Sequence, residues 1–253
     1  MCTLTLIAVE RADGPPGLRL VMNRDEQRDR PAAIAPCWRE LSGGLRAVWP
    51  TDPAGGGTWI AATSRGLVLC LLNLNLEPRP FLPEGLLSRG LIIPSVVESA
   101  GAVGVVGALE RLELRRFAPF RLVVAERGGG VWECRWDRER LRSVEHAALP
   151  LCFVSSGLGD SRVEGRLRLF EERVAQTGFT SGEQDAFHQH GWEGEPEISV
   201  MMSRAEARTV SVTTVEVLGS GPQARVEMGY RAVAEGAMVE RGGGAVAVSR
   251  RLR

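Results

Sequence analysis

The chain reads as an α+β protein with mostly antiparallel pairing, and three observations point there. Strand-like runs come first, then a helical stretch, then strands, a helix and strands again, whereas parallel βαβ units alternate strand and helix one for one. Two pairs of strand-like runs are joined by connections too short for a crossover helix, which makes them hairpins. No apolar run approaches the roughly 20 residues needed to span a bilayer, so the apolar segments belong to a folded core.

Taken in order, Met1 to Val9 and Leu18 to Glu26 are β-rich runs bounded by the breakers Ala12-Asp13-Gly14-Pro15-Pro16-Gly17, and they predict the first hairpin. Arg28 to Pro36 is a Pro- and Arg-rich connector, followed by a short strand at Leu45–Pro50 and a loop at Asp52–Gly57. Thr58–Thr63 and Leu67–Asn73 flank Ser64-Arg65-Gly66 and predict the second hairpin. The run from Leu67 is apolar throughout, so both of its faces are expected to be buried. Arg89 to Phe117 fits helices better than strands, and Pro94 with Gly101, Gly104 and Gly107 divides it into two short pieces.

Strands are expected at Arg121–Glu126, Val131–Trp136 and Leu151–Val154, with Gly128-Gly129-Gly130 as a turn. Val163, Leu167, Phe170 and Val174 recur at helical spacing between Asp160, a plausible N-cap, and Gly178, a natural stop. Ser181 to His190 reads as a helical turn or two, Ile198–Ser203 and Thr209–Val217 as strands. From Gly219 onward the sequence is a weak strand or loop with a Gly242-Gly243-Gly244 run and a solvated basic end at Arg250–Arg253.

With 253 residues, no internal repeat and no long linker, residues 1–253 read as a single domain. The formal net charge of zero gives no electrostatic reason to expect nucleic acid or an anionic membrane as partner. Every basic side chain counted with arginine is arginine and none is lysine, which excludes Schiff-base chemistry. Cys2, Cys37, Cys70, Cys134 and Cys152 are odd in number, without CxxC or metal-type spacing, and point to a reducing compartment. The first residues lack the basic and apolar regions of a secretory signal, so a cytoplasmic location is expected. His146, His188 and His190 offer no metal-ligand pattern, and no metal or other cofactor is expected.

Chemistry concentrates near the first hairpin. If Met1 is removed, Cys2 carries a thiol and a free α-amine, and that amine, with an ordinary pKa of roughly 7.7–8.0, can take the thiol proton. Position alone favours a small residue at a frayed end. The Asn23-Arg24-Asp25-Glu26 cluster across the hairpin favours the nucleophile. Strand alternation puts Asn23 and Asp25 on one face, with Arg24 and Glu26 on the other. Asp25 would hold the amine, and an amide at Asn23 or Asn73 would donate to an oxyanion. Arg24 would either lower the thiol pKa or pair with Glu26. Gly55-Gly56-Gly57 reads as a flexible loop or as a close approach of backbone to ligand, with Trp59 in the core or as a pocket wall. An α-ammonium held by Asp25 would lower the thiol from about 8.5, making a thiolate–ammonium pair dominant near neutral pH.

Met1-Cys2-Thr3, Asn23-Arg24-Asp25-Glu26, Asp52 with Gly56-Gly57-Thr58-Trp59, and Leu72-Asn73, in this order, resemble the NRDE family, also called the transport and Golgi organisation family. That resemblance implies an N-terminal-nucleophile hydrolase relationship and hence a four-layer αββα sandwich. The penicillin V acylases and conjugated bile acid hydrolases, whose processed N-terminal cysteine attacks linear amides, are similar by pattern. Carried over, Cys2 matches the nucleophile, Asp25 the carboxylate that holds its amine and Asn73 an oxyanion donor, while Arg208 stands for a late active-site arginine. The acylases place another arginine a few residues before the aspartate, where this chain has Met22, so Arg24 corresponds less closely. Ser155-Ser156-Gly157 replaces a Ser-Asn pair before the long helix. The implied activity is an amidohydrolase or acylase acting on a linear amide or related acyl compound, with Asn23, Trp59 and Arg208 contacting the substrate. The family has also been linked to haem or lipid handling, which implies the alternative of a carrier whose apolar pocket is walled by Trp49, Trp59 and Phe81.

Overall fold

The structure, a computed structural model, describes residues 2–10, 16–128, 130–219 and 221–235. Most of the first turn, the Gly242–Gly244 run and the basic end lie outside the described residues.

β1 (Cys2–Val9) and β2 (Gly17–Gln27) pair antiparallel with Cys2 opposite Arg24, as the first hairpin requires. β10 (Leu151–Ser155) flanks β1, while β11 (Ala207–Leu218) and β12 (Arg225–Ala232) continue beyond β2, giving a five-stranded sheet ordered β10-β1-β2-β11-β12. β3 (Ile34–Glu40), β4 (Arg46–Thr51), β5 (Ile60–Thr63), β6 (Leu67–Asn73), β7 (Phe120–Glu126), β8 (Val131–Trp136) and β9 (Leu141–His146) form a second, seven-stranded sheet in chain order. All of these ladders are antiparallel.

Side-chain alternation explains the layers. Leu4, Leu6, Leu20 and Met22 face Val68, Cys70 and Leu72 between the sheets. Leu67, Leu69 and Leu71 face outward onto α1 (Ile92–Val96) and α2 (Gly101–Glu110), through Ile92, Ile93, Val105 and Leu109. On the far side Ile7 packs under α3 (Glu164–Thr177) and α4 (Ser181–His188), with Phe170, Phe179 and Phe187 meeting edge to face. The order is helix, sheet, sheet, helix, an αββα sandwich. No helix among the described residues is long and apolar enough to cross a membrane.

Several expectations need correction. The supposed connector at Arg28–Pro36 overlaps β3, whose Pro36 is tolerated because β3 is a sheet edge. β9 was not anticipated: it too is an edge strand, with a largely exposed, charged face and little apolar periodicity. β12 is a full strand paired with β11 over eight residues. Ile198–Ser203 is not a strand. Its carbonyls are taken by buried side chains, Ile198 O by Arg166 Nε at 3.0 Å and Val200 O by Asn23 Nδ2 at 2.9 Å, in place of a ladder. Asp160 does not cap α3. It opens a 3-10 turn at Asp160–Val163 and accepts from Ser156 N at 2.9 Å. Gly178 does end α3, in the left-handed conformation at φ 70°.

Candidate active site

Cys2 is the first residue of β1 and is 5% exposed. The register sets its surroundings: Arg24 on one side, Ser155 on the other, and Asp25 one residue beyond Arg24. The Cys2 backbone N–H donates to Ser155 Oγ at 3.0 Å. Cys2, Arg24, Asp25, Trp59 and Asn73 all line one cavity of about 720 Å³ between the strand ends and the Ser88–Gly90 segment.

Asp25, 1% exposed, belongs to the face of β2 turned towards α3. A bulge in β11 brings Thr209 opposite it, and Thr209 Oγ1 donates to Asp25 Oδ1 at 2.6 Å. Arg166, also 1% exposed, reaches in from α3 with Nη1 3.5 Å from Asp25 Oδ2 and 2.8 Å from Thr3 Oγ1. Burial pushes the Asp25 carboxyl above its ordinary value, against the pull of Arg166 and the Thr209 hydroxyl. Burial likewise lowers Arg166, against the pull of Asp25. Each charge offsets part of the cost of burying the other.

The thiolate expected near neutral pH belongs to the chain freed of Met1; with Met1 in place the balance at Cys2 runs the other way. Burial pushes Cys2 up, and the amino terminus and Arg24 offset this only in part, while Asp25's charge adds to it. The thiol is therefore protonated at rest and needs a base. Cys70, packed behind it, is also raised by burial.

The Arg24 guanidinium carbon lies 4.1 Å from the Trp59 ring centre, and its Nη2 lies 3.4 Å from Glu26 Oε2 and 3.6 Å from Asp52 Oδ2. Both earlier readings of Arg24 therefore meet in one geometry: it pairs with Glu26 and its charge favours the thiolate. Asp52 is anchored mainly by Arg30 Nη2 at 2.5 Å, and burial is overcome by that contact so that its carboxyl stays below the ordinary value. The glycine loop serves a backbone approach to protein at Gly57, while Gly55 lines the Cys2 cavity. A Cβ on Gly57 would lie 2.2 Å from the Gly90 carbonyl carbon, and Thr58 N donates to Gly90 O at 3.0 Å.

Two expected substrate contacts fall elsewhere. Asn23 faces α4, donating to His188 O and Val200 O at 2.9 Å each and accepting from His188 Nδ1 at 2.9 Å, and it does not line the cavity. Arg208 does not line it either, and its Nη1 donates to Val233 O at 2.7 Å. Of the walls expected of a carrier, Trp59 and the β6 end at Leu71 and Asn73 line the cavity, whereas Trp49 packs in the outer cluster under Arg39 and Phe81 is 87% exposed.

Four residues at this site were not anticipated. Arg166 had a signal, since it continues the Val163–Phe170 stripe of α3 at i+3. Ser155 stood in the segment that replaces the family's Ser-Asn pair, but its bond to the Cys2 nitrogen was not foreseen; Thr209 and Arg89 had no signal, because each depends on a partner distant in sequence. A smaller cavity of about 280 Å³ lies beside α4, lined by residues including Arg19, Asp185 and Glu216, and contains no thiol. No group of three or more metal-ligating side chains occurs among the described residues.

The sequence profile of Transport and Golgi organisation 2 matches residues 1–193, about three quarters of the chain. The chain belongs to the Transport and Golgi organisation 2 family. None of the curated protein sequences is significantly similar to it. Among solved structures, the C2A mutant of conjugated bile acid hydrolase from Clostridium perfringens superposes with a TM-score of 0.51 at 10% identity, over 88% of this chain and 91% of that one. The Caenorhabditis elegans N-acylethanolamine-hydrolyzing acid amidase ortholog gives 0.52 at 13% identity, over 83% and 91%. Penicillin V acylase from Agrobacterium tumefaciens gives 0.52 at 11% identity, over 90% and 82%. At these identities the likeness establishes the fold of this family member, that of the N-terminal-nucleophile hydrolases, and not its chemistry.

Proposed function

We propose that the chain is an N-terminal cysteine amidohydrolase acting on a linear amide or related acyl compound. The observation that carries the reading is the position of Cys2: first residue of a central strand, lining a cavity, with its nitrogen hydrogen-bonded to Ser155 and Asp25 one register step away. The names of the structural neighbours, all hydrolases or acylases of amides, agree with it.

Removal of Met1 would turn the Cys2 nitrogen into a free amine between Ser155 and Asp25. That amine takes the thiol proton as Sγ attacks the carbonyl carbon. Asn73, at the end of β6 in the cavity wall, is the side-chain candidate for the oxyanion. The C–N bond then breaks, the α-ammonium protonates the leaving amine, and a water activated by the same amine hydrolyses the thioester. Arg166 and Thr209 act through Asp25 and are positioning residues.

The test compares wild type and Cys2→Ala on a panel of linear amides, with the N-terminus of each verified. Turnover by the protein that begins at Cys2, and none by Cys2→Ala, is expected. Equal turnover by both, or none by wild type with a free Cys2 amine, would overturn the reading.

A further inference from the structure

The walls of the Cys2 cavity hold four carboxylates, and each has its own guanidinium. Asp25 has Arg166 at 3.5 Å, Glu26 has Arg24 at 3.4 Å, Asp52 has Arg30 at 2.5 Å and Glu206 has Arg204 at 2.6 Å. Arg89 is the cation left over. It lines the same cavity, and among the described residues it has no carboxylate within ion-pair distance. Its one hydrogen bond runs from Nη1 to Pro119 O at 3.0 Å, which leaves its remaining N–H donors uncommitted among the described residues.

Arg89 is only partly exposed, and burial lowers its guanidinium while Cys2 and Glu26 act on it in the opposite sense, so it sits within electrostatic reach of the nucleophile. A partly desolvated guanidinium without a counter-charge costs stability, and a fold keeps one where a ligand supplies the charge. Its backbone is also fixed. Arg89 begins the 3-10 turn Arg89–Leu91, Gly90 is latched to Gly57 and Thr58, and Leu87 N donates to Arg116 O at 2.8 Å just before it.

We propose that Arg89 is the anion-recognition residue of this site, and that the substrate is a linear amide bearing a carboxylate that seats against it. The proposal rests on the reading of Cys2 as nucleophile and adds the class of substrate. A carboxylate on a planar guanidinium forms charge-assisted hydrogen bonds with defined geometry, so Arg89 would orient the amide as well as attract it.

Two matched pairs of probes test it. In the first, Cys2 is alkylated by iodoacetate or by iodoacetamide, which differ in one charge, with adducts mapped by mass spectrometry and the exposed Cys37 as internal reference. The iodoacetate-to-iodoacetamide rate ratio at Cys2 is expected to exceed that at Cys37 by about tenfold, and to fall towards it in Arg89→Gln. In the second, Cys2→Ala is titrated calorimetrically with N-decanoylglycine and N-decanoylethanolamine. The glycine conjugate is expected to bind about tenfold more tightly, with the difference lost in the Cys2→Ala, Arg89→Gln double variant.

Equal binding of the two conjugates, binding of neither, or a preference that survives Arg89→Gln overturns the proposal. The two readings fail separately. Carboxylate preference in binding without turnover by wild type sinks hydrolysis and keeps the anion site, whereas turnover of both conjugates without preference sinks the anion site alone.

Discussion

His188 is buried and neutral, and its neutrality has a measurable consequence for stability. Its Nδ1 donates to Asn23 Oδ1 at 2.9 Å, because both Asn23 amide protons go to carbonyls, and its Nε2 therefore accepts from Thr5 Oγ1 at 2.7 Å. The Thr5 hydroxyl in turn accepts from Gln184 Nε2 at 2.9 Å, and Gln184 Oε1 accepts from Arg19 Nη1 at 2.6 Å. A second proton on the imidazole would displace the Thr5 hydroxyl proton from Nε2 and leave that hydroxyl without its acceptor. Burial first, then the cations Arg19 and Arg166, push its pKa from 6.5 down to about 3. The unfolded chain binds the proton below 6.5 and the folded chain does not, so this contribution is intact above pH 6.5 and is lost as the pH falls towards 3. Between pH 7 and pH 5 the loss is about 1.5 units at 1.36 kcal/mol each, or ~2 kcal/mol. Urea unfolding of wild type and His188→Gln at pH 7, 6 and 5 isolates it, since His146, His190 and the carboxylates are common to both proteins. Wild type should lose ~2 kcal/mol more than the variant over that range. A wild-type minus variant difference that stays constant with pH would refute the assignment.

Other predictions follow from single contacts. Glu133→Ala removes a carboxylate that is 2% exposed and shared by Arg121 at 2.7 Å, Arg135 at 2.6 Å and His146 at 3.2 Å, and should cost about 3 kcal/mol in denaturant unfolding, because Arg121 is left buried and unpaired. Gly57→Ala forces a Cβ into the Gly90 backbone and should cost about 3 kcal/mol, read as a lowered Tm, and disturb the turn carrying Arg89. Thr209→Val deletes the 2.6 Å bond to Asp25 and should cost about 1 kcal/mol. Because that bond favours the ionised carboxylate, its loss should move the acid limb of the activity profile to higher pH, and an unmoved limb would remove Thr209 from its positioning role.

What the sequence discloses follows from where the information is stored. β1, β2, β5 and β6 were legible because their apolar residues lie on both sides of a central strand, and Leu67–Asn73 splits between the two clusters as an unbroken apolar run should. The edge strands β3 and β9 were not, since an edge needs charge and tolerates proline, which erases periodicity. Ile198–Ser203 has strand composition, but its carbonyls serve Asn23 and Arg166, a use visible only once α3 and α4 are in place. At the site, Cys2, Arg24, Asp25, Trp59 and Asn73 come together because hairpin register and strand ends are local properties. Ser155 and Arg89 are set by long-range packing, and Arg166, although it lies on the apolar stripe of α3, is of a residue type that on an amphipathic helix ordinarily reads as surface.

The central claim is that Cys2, freed of Met1, is the nucleophile. Its most direct measurement is intact and peptide mass spectrometry of the purified protein after brief exposure, near neutral pH, to an acylating probe such as a β-lactone. A chain that starts at Cys2 is expected, with a single acyl adduct on that residue, formed ahead of any on the more exposed Cys37 and absent from Cys2→Ala. A mature chain that retains Met1, or an adduct that forms on Cys37 while Cys2 stays unmodified, would contradict it.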